Sequence, residues 1–234
     1  MKLDVMLCFT YLFHVEQERE LRQFLHTAAK TLGLSLTNTQ IEQFWSYLTQ
    51  LLRWNRTINL TSITDPYEII GKHFVDSLAA LVAVDFPIEG VVIDVGSGGG
   101  FPGIPLKIVR QDLWLVLIEP TQKKSSFLRA VVGTLQLKNV CIFSGTIADY
   151  AVGEHHTLGD LMVVRALRFD QVAPFAPSVL KQIGKVVLYG TGRGESEAVL
   201  ARSSSFTIKS QYPFSLPRNY GTRVLTILCQ AVAA

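Results

Sequence analysis

Val91 to Pro105 reads VVIDVGSGGGFPGIP, and the fold turns on this stretch. Val91, Val92, Ile93 and Val95 form a β-branched apolar run broken only by Asp94, the pattern of a parallel strand buried on both faces. Gly96, Gly98, Gly99 and Gly100 come directly after it. A strand ending in so dense a glycine cluster turns sharply and lets a ligand approach its backbone. Pro102 suits a first helical turn, having a fixed φ and no N–H. Gly103, Ile104, Leu106, Ile108 and Val109 then predict a helix pressed against the sheet. Strand, glycine turn and helix N-terminus together form the place where α/β sheets bind nucleotide-like ligands.

Two ligand classes fit this loop. Gly98-x-Gly100-x-x-Gly103 satisfies the dinucleotide fingerprint, which glycine-rich stretches often meet by chance. Asp94-x-Gly96-x-Gly98-x-Gly100 resembles instead the first motif of class I S-adenosylmethionine (SAM) methyltransferases. Asp94 favours the second frame. An anion at the strand tip repels a pyrophosphate and suits a cationic sulfonium ligand bearing an α-amino group.

The rest of the chain fits an α/β enzyme. Its 234 residues, 48% hydrophobic, are ample for one packed domain with an appendage. The net charge of +3 permits an acidic partner without demanding one. Cys8, Cys141 and Cys229 lie far apart, with neither metal-ligand nor disulfide spacing, which predicts no metal and a reducing compartment. Leu3 to Val15 is apolar, but it contains Asp4 and runs into Glu16, Glu18 and Glu20. It is read as a helix lead-in or upstream-start extension, not a signal peptide.

Residues 1–88 read as an N-terminal helical extension, and 89–234 as one compact cofactor-binding core. Leu21, Phe24, Leu25, Ala28 and Leu32 recur at helical spacing before Gly33. Thr37 caps a second helix bearing Ile41, Phe44, Trp45, Leu48 and Leu51, and Thr64-Asp65-Pro66 starts a third through Leu81. Strands are expected at 91–95, 114–118, 140–143, 161–164 and 185–189, with helices after Pro102, Thr121 and Asp170. The last helix carries Val172, Phe175 and Leu180. Late runs at 206–208 and 223–228 predict a closing hairpin. The expectation is a mostly parallel, doubly wound, Rossmann-like sheet with an antiparallel C-terminal edge. Gly190-x-Gly192-x-Gly194 lacks the Lys-Ser/Thr of a phosphate loop and predicts a flexible turn.

Several side chains are placed to do chemistry. Glu119 ends the second strand about twenty residues after the glycine loop, where an acid accepts ribose hydroxyls. Arg165 ends the fourth strand and points into the crevice; an ion pair capping the sheet edge is the less favoured reading. Lys72, His73 and Asp76 fall on one side of the third helix, His73 and Asp76 three residues apart; orienting the imidazole toward a substrate and a buffered surface pair are equally good readings. Lys123 and Lys124 oppose a helix dipole, a placement that suits RNA phosphate, although two surface lysines are nearly as good a reading. After the fourth strand stands Arg165-Ala166-Leu167-Arg168, not the Asp/Asn-Pro-Pro-aromatic motif of exocyclic-amine methyltransferases. No cysteine sits on a crevice loop to serve as a pyrimidine C5 nucleophile.

Taken in order, these residues resemble the RsmG (GidB) family of bacterial small-subunit rRNA methyltransferases. Those that carry the likeness are Asn59-Leu60-Thr61, Lys72-His73-Phe74-x-Asp76-Ser77-Leu78, Asp94 to Pro105, Lys123-Lys124-x-x-Phe127-Leu128-Arg129 and Arg165-Ala166. The resemblance implies a SAM-dependent enzyme that methylates N7 of one guanine in 16S rRNA. It implies that Gly96, Phe101 and Arg165 line the SAM site, with Ile147 and Ala148 against the adenine; Asp94, Gly98 and Glu119 are the further cofactor contacts expected from the loop and the strand end. Where the family usually has Gly-Arg-Ala-Glu-Glu, this chain has Gly145-Thr146-Ile147-Ala148-Asp149, so only backbone contacts survive at 148. Lys72, His73, Lys123, Lys124 and Arg168 are the candidates for holding RNA. Arg165 is the positioning residue, and no general base is expected. The expected partner is 16S rRNA or a small-subunit precursor, met in the cytoplasm by a monomer away from any membrane. An NAD(P)-dependent oxidoreductase and a non-catalytic RNA-binding protein of the same fold are the competing readings.

Overall fold

A computed structural model describes residues 2–154, 156–191 and 205–231, with side chains from residue 15 onward. Seven strands form one sheet in the order β3-β2-β1-β4-β5-β7-β6. They are β1 Val91–Val95, β2 Trp114–Ile118, β3 Val140–Phe143, β4 Gly159–Arg165, β5 Leu180–Gly190, β6 Phe206–Ser215 and β7 Thr222–Gln230. β1 to β5 pair in parallel, and β7 runs antiparallel to both β5 and β6. The expected parallel sheet with an antiparallel edge is present.

Strand alternation sorts the core into two layers. Val92, Leu115, Leu117, Leu161 and Val163 face one side, where α1 (Lys2–Thr31), α2 (Asn38–Asn55), α6 (Gly103–Val109) and α7 (Gln122–Thr134) cover them. Ile93, Val95, Val116, Ile118, Met162 and Val164 face the other side, against α8 (Ile147–Ala151) and residues 169–179. With both faces buried, the inner strands carry long apolar runs, broken in β1 only by Asp94, which made them easy to find. Among the described residues, 1–88 form helices and no strand, yet packing runs across the boundary to the sheet. Phe44, Leu51 and Phe74 share a cluster with sheet residues.

Two expected elements differ, and one element is new. The third helix is α3 (Pro66–Ile69), a π turn (Ile70–Val75), α4 (Asp76–Leu78) and α5 (Ala80–Ala83). Leu180 does not lie in a helix; it begins β5. The chain before it makes a 3-10 turn at Phe169–Gln171 and a short α9 (Ala176–Val179), because Pro174 and Pro177 remove donors and block a continuous helix. α8 was not foreseen. The apolar stretch from Leu3 continues α1, whose side chains up to residue 14 lie outside the described residues, as do Gly192 and Gly194. No helix among the described residues is long and apolar enough to cross a membrane.

Candidate active site

β1 is flanked by β2 on one side and β4 on the other, so the chain winds in opposite directions from it. That is the switch point at which doubly wound sheets open a crevice beyond their strand ends. A cavity of about 730 Å³ lies there, lined by Gly96 and Gly98, Glu119, Ile147 and Ala148, and Arg165. Its size suits a nucleoside-sized ligand.

Gly96, Gly98 and Gly100 have φ of 73°, 55° and 91°, left-handed conformations natural to glycine. Gly96 N–H donates to Ile118 O at 2.9 Å, tying the loop to β2. Gly98 N–H donates to Glu119 Oε2 at 2.9 Å, and Thr121 N–H donates to Oε1 at 2.9 Å. The buried Glu119 carboxylate is thus held by two backbone donors. Each oxygen keeps a lone pair for a ligand hydroxyl. A Cβ built on Gly98 would meet only Gly96 O, at 3.8 Å, so the space above it belongs to the cavity. The opposite wall starts at α8. There Thr146 and Asp149 form a capping box in which the Thr146 N–H donates to the Asp149 carboxylate at 2.8 Å. The charge at 149 therefore serves the helix, and Ile147 and Ala148 present its first turn to the cavity.

Asp94 is a correction. It does not line the cavity. Alternation along β1 turns it to the α6 side, where Oδ2 accepts Gly103 N–H at 2.8 Å. A Cβ on Gly103 would fall 2.7 Å from that oxygen. Burial pushes the Asp94 carboxyl up to about 7. Asp94 shapes the loop from beneath and is withdrawn as a cofactor contact.

The second correction concerns His73 and Asp76. The i→i+5 spacing of the π turn spoils the three-residue alignment, and the two side chains meet only through Arg165. Arg165 Nη2 donates to Lys72 O at 2.6 Å and to His73 Nδ1 at 3.0 Å, and lies 3.1 Å from buried Asp76 Oδ2. Arg223 Nε approaches the other Asp76 oxygen at 3.7 Å. Arg165 therefore makes the ion pair and faces the cavity as well. Its Nη1 is buried with no partner among the described residues, so the guanidinium keeps one donor that its protein contacts do not use. Phe101 lies in the same wall, stacked on His73 at 4.5 Å with its ring 18° off parallel. Tyr47, which sequence reasoning missed, stacks on Phe101 and donates its hydroxyl to Gly99 O. The available signal was a tyrosine on the apolar face of α2.

Burial and the Arg165 charge push His73 down to about 3 from its ordinary 6.5, so it is neutral at working pH. Between those values the unfolded chain binds the extra proton, so stability present above pH 6.5 is lost as pH falls. Asp94, raised to about 7 from 3.8, acts oppositely and stabilises as pH falls. A His73→Gln variant removes the first effect and keeps the second. From pH 7 to pH 5 it should gain about 2 kcal/mol on the wild type in urea unfolding. Parallel stability curves would show that His73 is not held neutral.

The RNA candidates separate. Lys124 lines the cavity and Lys123, next to it in the chain, is exposed. Lys72 pairs with Glu68 at 2.9 Å and lies over the Tyr220 ring, and Arg168 pairs with Asp170.

A family model described as rRNA small subunit methyltransferase G matches residues 40–222. The chain is 33% identical over 201 residues to Ribosomal RNA small subunit methyltransferase G of Staphylococcus epidermidis, covering 84% of each protein. It is 31% identical over 211 residues to the protein of that name in Staphylococcus aureus, covering 88% of each. Among solved structures it resembles ribosomal protein L11 methylase of Lactobacillus delbrueckii subsp. bulgaricus, with a TM-score of 0.52 at 15% identity. That match covers 68% of this chain and 78% of the other, a likeness of fold.

Proposed function

The chain belongs to the rRNA small subunit methyltransferase G family, and on that premise we propose that it transfers a methyl group from SAM to N7 of a guanine in 16S rRNA. The observation that carries this reading is the switch-point cavity. It joins a glycine loop with an open cradle at Gly98, a fixed carboxylate at Glu119 and the Arg165 side chain. Those residues fit SAM. Gly96 and Gly98 would pass it along their backbone, Glu119 would accept ribose hydroxyls, and Ile147 with Ala148 would lie against the adenine. When bound, SAM supplies an electrophilic methyl on a sulfonium. Phe101, stacked between Tyr47 and His73, provides a dry wall where that charge is lost. Guanine N7 has an in-plane lone pair and no proton, so the site has to position the base rather than deprotonate it. Lys123 and Lys124, without ion pairs among the described residues, stand ready for phosphates, while Lys72 and Arg168 are already paired. The proposed setting is the cytoplasm, with the chain acting as a monomer on 16S rRNA or a small-subunit precursor.

Thermal-shift titration tests the cofactor. S-adenosylhomocysteine at 100 times its Kd should stabilise the protein by about 2.7 kcal/mol, and NADH should do nothing. Stabilisation by NADH alone would replace this reading with an oxidoreductase. Binding of both RNA and S-adenosylhomocysteine without transfer of label from SAM would leave a non-catalytic RNA binder.

A further inference from the structure

Thr61 lies in the cavity wall with His73, Phe101 and Arg165, and its hydroxyl has a forced direction. A guanidinium has donors and no acceptor, so His73 Nδ1, 3.0 Å from Arg165 Nη2, must accept. The neutral ring then carries its hydrogen on Nε2, which lies 2.7 Å from Thr61 Oγ1 and donates to it. Thr61 Oγ1 also accepts Ile63 N–H, at 3.1 Å. Both lone pairs of that oxygen are used, so its own hydrogen must be given away. No acceptor for it is present among the described residues, and the group borders the cavity. Asn55 locks the residue in place. Its Oδ1 accepts Thr61 N–H at 3.1 Å, and its Nδ2 donates to Thr61 O at 2.9 Å.

We propose that Thr61 is a specificity residue whose hydroxyl donates to O6 of the target guanine. Guanine offers N7 and O6 side by side as two acceptors, whereas adenine puts an amino donor beside its N7. With N7 set toward the methyl, a fixed donor at the neighbouring position accepts guanine and opposes adenine. Asp76 holds Arg165, Arg165 sets the His73 tautomer, and His73 sets the polarity of Thr61. Asp76, Arg165 and His73 are in this respect positioning residues. The assignment rests on the guanine-N7 reading of the site.

A cycle between protein and RNA tests it. Methyl transfer is measured on small-subunit RNA carrying guanine at the target, and on ligated RNA carrying 2-aminopurine there. The analogue keeps N7 and replaces O6 with hydrogen. Wild-type kcat/KM should fall about ten- to a hundredfold on the analogue. Thr61→Val should fall similarly on guanine, lose nothing more on the analogue, and bind S-adenosylhomocysteine as the wild type does. Thr61→Ser should regain sensitivity to O6. Equal wild-type rates on the two RNAs, or losses that multiply instead of overlapping, would overturn the assignment alone. The wild-type arm needs no variant and decides even if Thr61→Val misfolds. Failure of the wild type to methylate the guanine RNA would sink the parent reading, and this one with it.

Discussion

Gly98→Val should abolish binding of S-adenosylhomocysteine while the chain still folds. The added Cβ meets only Gly96 O, at 3.8 Å, so the protein has room for it and the branched methyls enter the cavity. The residue also sits at φ 55°, where a β-branched side chain costs about 1–3 kcal/mol. A cooperative unfolding transition a few degrees lower should therefore remain. The ligand, by contrast, loses the surface against which its backbone-like portion lies. Affinity should drop by at least about a hundredfold, a loss of about 2.7 kcal/mol or more. Gly103→Val is the contrast. Its Cβ would fall 2.7 Å from Asp94 Oδ2 and from Leu117, so its damage should appear in folding first. Isothermal titration and thermal melts separate the two. Wild-type affinity in Gly98→Val would move the cofactor site elsewhere.

Arg165→Ala should stop methyl transfer and also weaken the fold. The apolar neighbours Val163, Val164 and Ala166 alone suggest a strand tip that tolerates truncation. The structure gives another answer, because Asp76 is buried against this guanidinium at 3.1 Å. Burial raises the Asp76 carboxyl above its usual range, with Arg165 and Arg223 opposing that rise. Removing one partner of a buried pair leaves a charge with poor compensation, at a cost of about 3–5 kcal/mol. Arg165→Ala/Asp76→Asn should recover much of that stability in urea unfolding, and none of the transfer. Transfer to small-subunit RNA, followed with labelled SAM, should fall more than about tenfold in both variants. Weaker S-adenosylhomocysteine binding would assign the guanidinium to the cofactor, and unchanged binding to the RNA base. Normal transfer by the double variant would leave Arg165 a structural pair only.

What could be read in advance tracked local pattern. β1, β2 and β3 begin and end where the apolar runs do; in β1 and β2 burial on both faces leaves little room for polar residues, and β3 is a short apolar run at the sheet edge. The glycine loop and Glu119 were legible for a similar reason. Backbone that must turn left-handed or admit a ligand restricts which residues it can use. Patterns failed where neighbours distant in sequence intervened. The π turn holds Gly71 where a Cβ would come within 2.6 Å of the Tyr220 ring, and nothing near Gly71 in sequence announces that tyrosine. Prolines at 174 and 177 were visible, but the helical spacing of Val172, Phe175 and Leu180 outweighed them.

The sequence by itself determined the alternating parallel sheet, the loop at its switch point and the resemblance on which the activity rests. Each is a property of short segments, whose periodicity and glycine content leave few backbone conformations. Only the tertiary structure decided which way the polar side chains face and what they meet. Alternation in β1 sends Asp94 beneath the loop, and Tyr47 reaches that loop from a helix about fifty residues earlier. Asp76, Arg165, His73 and Thr61 form one chain only because the helical segment and the end of β4 pack together. A buried donor or acceptor must find a partner wherever the fold supplies one, and that partner need not be near in sequence.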